Sequence, residues 1–120
     1  MAAVKLADII EHENLENLTP EIDIKKIKVT QPDINRPALQ MAGYFEHFEA
    51  TRLQIIGFVE YSYMESLTET RQEIIYERLL DNPIPGVIFC RELKPNDLFR
   101  KIAVKHGVPL LMTKKATSAF

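Results

Sequence analysis

Between Leu53 and Met112, three short apolar runs alternate with two stretches of helical periodicity, and this alternation restricts the fold more than any other feature. The run from Leu53 to Phe58 is rich in branched and aromatic residues, as a strand buried on both faces requires. A short helix over about Tyr61 to Ser66 follows. Thr68 then suits the N-cap of a longer helix through about Leu80, in which Ile75 and Leu79, and Tyr76 and Leu80, stand four apart. The segment from Asn82 to Pro85 breaks that helix, and Gly86 to Cys90 reads as the clearest core strand. Pro95 and Asn96 open the next helix, whose Leu98, Phe99, Ile102 and Ala103 share a face, and Gly107 sits where it should stop. Val108 to Met112 is a last strand, with Pro109 tolerable near its start. Such alternation predicts βαβ units. The expected fold class is α/β: three layers, with a mostly parallel sheet flanked by helices.

The N-terminal half is less regular. Leu6, Ile9 and Ile10 recur at helical spacing and predict a helix over about Val4 to Glu13. Ile22 and Ile24 alternate with polar neighbours, as do Ile27 and Val29, but Lys25 and Lys26 reverse the parity between them. A strand at about Lys26 to Thr30 is the reading adopted. Pro32 and Pro37 bracket four residues and bias Gln31 and Arg36 towards extended backbone. Pro37 can open a short helix to Ala42, which Gly43 stops.

Composition removes several function classes. One domain fits 120 residues, and 15 basic against 17 acidic side chains leave no excess of positive charge to hold nucleic acid or an anionic membrane. No apolar run approaches the roughly 20 residues that span a bilayer. Cys90 is the single cysteine, so no internal disulfide forms, and a reducing cytoplasm fits best. The glycines, at 43, 57, 86 and 107, are too scattered to build a Walker A loop or a dinucleotide fingerprint.

Candidate chemistry is sparse. His12, His47 and His106 lie in separate segments without metal-ligand spacing, and no metal site is assigned. Cys90 ends a strand, where a nucleophile could sit, although a buried thiol more often packs as a small hydrophobe. Glu46, Glu49, Glu60 and Glu65 could pair for acid-base work, yet a chain with 17 acids brings carboxylates near one another by chance. Lys25, Lys26 and Lys28 read as a solvated edge. The block from Asp33 to Phe45 is denser: it gathers Asp33, Asn35, Arg36 and Tyr44 around a backbone held by two prolines. Arg36 offers a planar fork of donors for phosphate or carboxylate, and Asn35 both donates and accepts. A ligand site could be built from these four. Equally, Asp33 and Asn35 could close Asx-turns while Arg36 ties the loop to a neighbouring carboxylate.

At this block the chain is similar to a known family. Residues 30 to 39, reading TQPDINRPAL, then Met41 to Phe45 and Arg52 to Gly57, resemble the N-terminal domain of HPr kinase/phosphorylase. The likeness continues through Glu65 to Leu67, Gly107 to Leu111 and Thr117 with Ser118. Ala38 departs from it, since family members usually carry glycine after the Arg-Pro pair.

The resemblance implies a fold similar to the N-terminal domains of Mur ligases, and membership of a bifunctional enzyme. That enzyme phosphorylates a serine of the phosphocarrier protein HPr with ATP or pyrophosphate, and removes the phosphate by phosphorolysis. It would be a hexamer coupling sugar metabolism to carbon catabolite repression in bacteria. Its P-loop, Mg2+ and acid-base carboxylate belong to a C-terminal domain with no counterpart in these residues, so no catalytic residue is carried over and no cofactor is expected here. The expected role is non-catalytic, serving regulation or assembly. The alternative is a sensor module for a phosphorylated metabolite or nucleotide-sugar, its pocket lined by Asn35, Arg36 and Tyr44.

Overall fold

The structure is a computed structural model; it describes residues 4–30, 34–37, 40, 43, 45, 48 and 50–115. Along the chain the elements are β1 (Val4–Lys5), α1 (Leu6–His12), β2 (Glu16–Asn17), β3 (Lys28–Val29), β4 (Ile34–Asn35) and β5 (Leu53–Ile56), then α2 (Phe58–Ser66), α3 (Glu69–Leu80), β6 (Val87–Phe89), α4 (Asp97–His106) and β7 (Leu110–Met112).

Five strands form one sheet in the order β2-β7-β6-β5-β4, while β1 and β3 pair as a separate antiparallel ribbon. Strands β4 to β7 are parallel, with Ile55 beside Ile88 and Ile88 beside Leu111. Strand β2 closes one edge antiparallel, Glu16 opposite Met112. Because β5, β6 and β7 step across the sheet in one direction, right-handed crossovers put their connecting helices on one face. The mostly parallel α/β sheet flanked by helices expected from the alternating runs is the observed architecture.

The period of two in the strands divides the apolar side chains between the faces. Ile56, Val87, Phe89, Leu110 and Met112 meet α3 and α4 through Ile75, Tyr76, Leu79, Phe99 and Ile102. Leu53, Ile55, Ile88, Cys90 and Leu111 point the other way, onto Leu6 of α1 and Leu15 and Val29 beyond it. The first core has aromatic edges driven into faces: Phe99 lies 4.8 Å from Tyr76 and 5.4 Å from Phe89, ring centre to ring centre. Beside β2, buried Thr19 accepts a hydrogen bond at Oγ1 from the Leu110 amide at 3.0 Å, tying the outermost strand to β7.

The helix limits follow local chemistry. The Thr68 hydroxyl accepts from the Arg71 amide at 3.2 Å, and Gly107 ends α4 in the left-handed region at φ 71°. In the last turn of α4, Lys105 and His106 reach Glu77 of α3 at 2.5 and 2.8 Å. Those two hydrogen bonds hold the Glu77 carboxyl below its ordinary range. Asn96 caps α4 by accepting from the Phe99 amide at 2.8 Å, and its Nδ2 donates to Gln72 of α3 at 3.3 Å. Asn96→Ala is therefore expected to lower stability by about 1–2 kcal/mol, seen as an earlier urea midpoint at unchanged slope.

Two expectations change. Val4 and Lys5, expected within the first helix, pair with Val29 and Lys28 instead. Phe58, expected at the end of a strand, opens α2, because the chain turns at Gly57. Of the short helix expected over Pro37 to Ala42, only Pro37 and Gln40 lie within the described residues.

Candidate functional site

The ligand-facing end of an open parallel sheet is its carboxyl edge. Asn35 ends the short β4 below that edge, level with Gln54 and Val87, and its Nδ2 donates to Oε1 of buried Gln54 on β5 at 2.6 Å. Arg36 follows and reaches across to α2. Its Nη2 lies 3.0 Å from both carboxylate oxygens of Glu60, and its Nε 3.3 Å from Oε1.

Glu60 is the third residue of α2, and Gly57 precedes that helix in extended conformation. The Gly57 amide donates to Glu60 Oε1 at 2.7 Å, which is the backward half of a capping box. The carboxylate is thus held on one side by a main-chain donor and on the other by a guanidinium fork. Its side chain is 3% exposed, whereas that of Arg36 is 45% exposed. Glu60 fills the positive end of its own helix, the position where open α/β sheets usually accept an anion.

Cys90 lies at the end of β6, fully buried, its amide donating to Ile56 O at 3.0 Å. Burial pushes its thiol up, against the pull of Arg36 and with the help of Glu60, so the sulfur packs as a small hydrophobe instead of ionising. Arg91 and Glu92 follow at φ 56° and 58°, unusual for residues other than glycine. Their amides donate to Lys115 O and Thr113 O at 2.9 Å, which pins the last described residues onto the same edge.

The sequence-derived candidates are therefore divided. Asn35 lies beside Gln54 within the sheet and Arg36 reaches Glu60 at the carboxyl edge, each engaged with a protein partner; Asp33 and Tyr44 lie outside the described residues. Arg36 tied to a neighbouring carboxylate was one of the two arrangements its sequence position allowed. An open recess of about 410 Å³ lies further along the edge, lined by His12, Glu13, Glu16, Thr113, Lys114 and Lys115 among others, and includes neither Asn35 nor Arg36. Among the described residues no group of three His, Cys, Asp or Glu side chains is placed to hold a metal ion. Glu60 stood in the sequence only as one acid of many. The signal that singles it out is Gly57-x-x-Glu60, glycine at an N-cap with glutamate three residues on.

Residues 4–120 match the family described as HPr Serine kinase N terminus. The chain belongs to this family. Among its relatives, an HPr kinase/phosphorylase of Lachnoclostridium phytofermentans is 44% identical over the whole of this chain, which covers 39% of that protein. One from Caldicellulosiruptor bescii is 40% identical over 93% of the chain, covering 36% of its own length. The chain thus spans little more than a third of these curated relatives, the part that the family description places at the N terminus. The regulatory region of Clostridium perfringens pyrophosphatase, with CBS and DRTGG domains and crystallised with its activator diadenosine tetraphosphate, is similar in structure. The TM-score is 0.62 over 97% of this chain and 44% of that one, at 13% identity, which is a likeness of fold. No described helix is long and apolar enough to cross a membrane.

Proposed function

We propose that this chain is the non-catalytic regulatory or assembly domain of a bifunctional HPr serine kinase/phosphorylase that controls carbon catabolite repression. The supporting observation is the family match over residues 4–120 together with a helix N-terminus already filled by Glu60. Phosphoryl transfer needs main-chain donors free to surround phosphates, and the Gly57 amide is committed to a carboxylate. On this reading, ATP or pyrophosphate, Mg2+ and the acid-base carboxylate belong to a C-terminal P-loop domain. The complete protein works as a cytoplasmic hexamer with HPr as its substrate, without nucleic acid or membrane.

The test is turnover by the pure chain. With ATP or pyrophosphate, Mg2+ and HPr, no phosphorylated HPr is expected, and serine-phosphorylated HPr with inorganic phosphate should remain intact. Transfer above background in either direction overturns the reading.

The second reading is a sensor module for a phosphorylated metabolite or nucleotide-sugar, on a fold like that of the Mur ligase N-terminal domains. In its favour, the Arg36 side chain is 45% exposed at the carboxyl edge. Adding ATP, fructose bisphosphate, phosphate or a uridine-linked sugar would then shift the backbone NMR signals of Asn35, Arg36 and Tyr44 and leave the rest in place.

A further inference from the structure

The turn that follows β6 has a shape its residues do not favour. Arg91 and Glu92 stand at φ 56° and 58°, and the Leu93 amide closes the turn onto Cys90 O at 3.0 Å. Positive φ at both central positions is the pattern of a type I′ turn, which asparagine and glycine adopt readily and other side chains adopt at a cost. Backbone strain of this kind persists only where the surroundings over-determine it. Here a second segment does so. The Arg91 amide donates to Lys115 O and the Glu92 amide to Thr113 O, each at 2.9 Å, so both strained residues direct their donors onto residues 113–115.

Those three residues form a strap. The turn holds it through the two amides, and the Thr113 amide anchors its start by donating to Phe89 O at 2.9 Å. The same strap borders the open recess of about 410 Å³, which Glu13, Leu15 and Glu16 line as well. Its fastening is weak, because Arg91, Glu92, Lys114 and Lys115 are all exposed and bring three positive charges against one negative to two hydrogen-bonded segments. The strand beneath differs: Val87 to Cys90 is buried throughout. We infer that the Arg91–Glu92 turn is a strained clasp, which opens while the sheet stays folded, releases the 113–115 strap and widens the recess that the strap borders. Exposed segments with few buried contacts open well below the cost of global unfolding, and strain in the closed form lowers that cost further. The recess therefore has a closed state, with the strap fastened, and an open one with that wall moved aside. A ligand that needs the larger space shifts the balance towards the open state.

Native-state hydrogen exchange of the chain in low urea tests the clasp, each rate being corrected for the intrinsic exchange of its amide. The amides of Arg91, Glu92 and Lys115, the last bonded to Thr113 Oγ1 at 3.2 Å, should exchange together and at a rate that urea leaves unchanged. They should run at least about a hundredfold faster than the amides of Gln54 and Val87, which are bonded to Gly86 O and Pro109 O within the sheet and wait for global unfolding. The double substitution Arg91→Asn with Glu92→Gly, the pair that such a turn prefers, should slow the opening about tenfold by removing left-handed strain. The inference is overturned if Arg91 and Glu92 keep the rate and urea dependence of Val87, if Lys115 stays protected while they exchange, or if the double variant opens as fast as the parent.

Discussion

Phe99→Ala is expected to destabilise the chain by about 3–5 kcal/mol, the range for removing a fully buried aromatic side chain. Phe99 is 0% exposed and joins both helices to the sheet, standing edge to face against Tyr76 of α3 and Phe89 of β6. No neighbouring loop can collapse into the gap, because these partners sit on helices and a strand fixed by hydrogen bonds. Since domains of this size are stable by only about 5–15 kcal/mol, the variant should lose much of its stability margin. Urea unfolding followed by circular dichroism measures the effect. A loss below about 1 kcal/mol would mean that the aromatic cluster repacks freely, contrary to the close packing described. Leu98→Ala, one residue away and only partly buried, should cost distinctly less.

The second large effect concerns Arg36. Arg36→Ala takes the guanidinium partner from the buried Glu60 carboxylate, 3% exposed in the parent chain, and leaves it the Gly57 amide as a donor. Stranding a buried charge costs about 3–5 kcal/mol, but solvent already reaches the guanidinium, so about 2 kcal/mol is expected. For a chain of this length that corresponds to a melting temperature lower by roughly 8 °C. Glu60→Gln, which keeps an acceptor for Gly57 and loses only the charge, should be milder. Differential scanning calorimetry distinguishes the alternatives. An Arg36→Ala variant that melts with the parent would show that the pair holds nothing together and that Arg36 is free to serve a ligand.

Much of the second half of the chain was legible because pattern and punctuation agree there. The branched runs at β6 and β7 are buried on both faces, as continuous apolar strands require, and Thr68, Asn96 and Gly107 mark helix ends through chemistry that acts within four residues. The N-terminal half was harder, since its order comes from partners distant in sequence. Glu16 and Asn17 carry no strand pattern and become β2 by main-chain pairing with Met112 and Leu111, almost a hundred residues away. Val4 and Lys5 are too few to reveal a period, and the ribbon with Lys28 and Val29 decides their conformation. Phe58 was misplaced because an apolar residue beside an apolar run reads as its continuation, whereas the glycine before it turns the chain outward. At the site, the residue type and position of Arg36 allowed either a ligand or a protein carboxylate as its partner, and only the three-dimensional arrangement selects Glu60 among the 17 acids.

Among the described residues the sheet narrows from four residues in β5 and three in β6 and β7 to two in each of the border strands β2 and β4. A border two residues long offers an incoming chain too few unpaired amide and carbonyl groups to extend the sheet. At the β2 border, flanked by described residues on both sides, this shortness guards the domain against growing into fibres, and a partner there has to engage side chains instead of adding a strand.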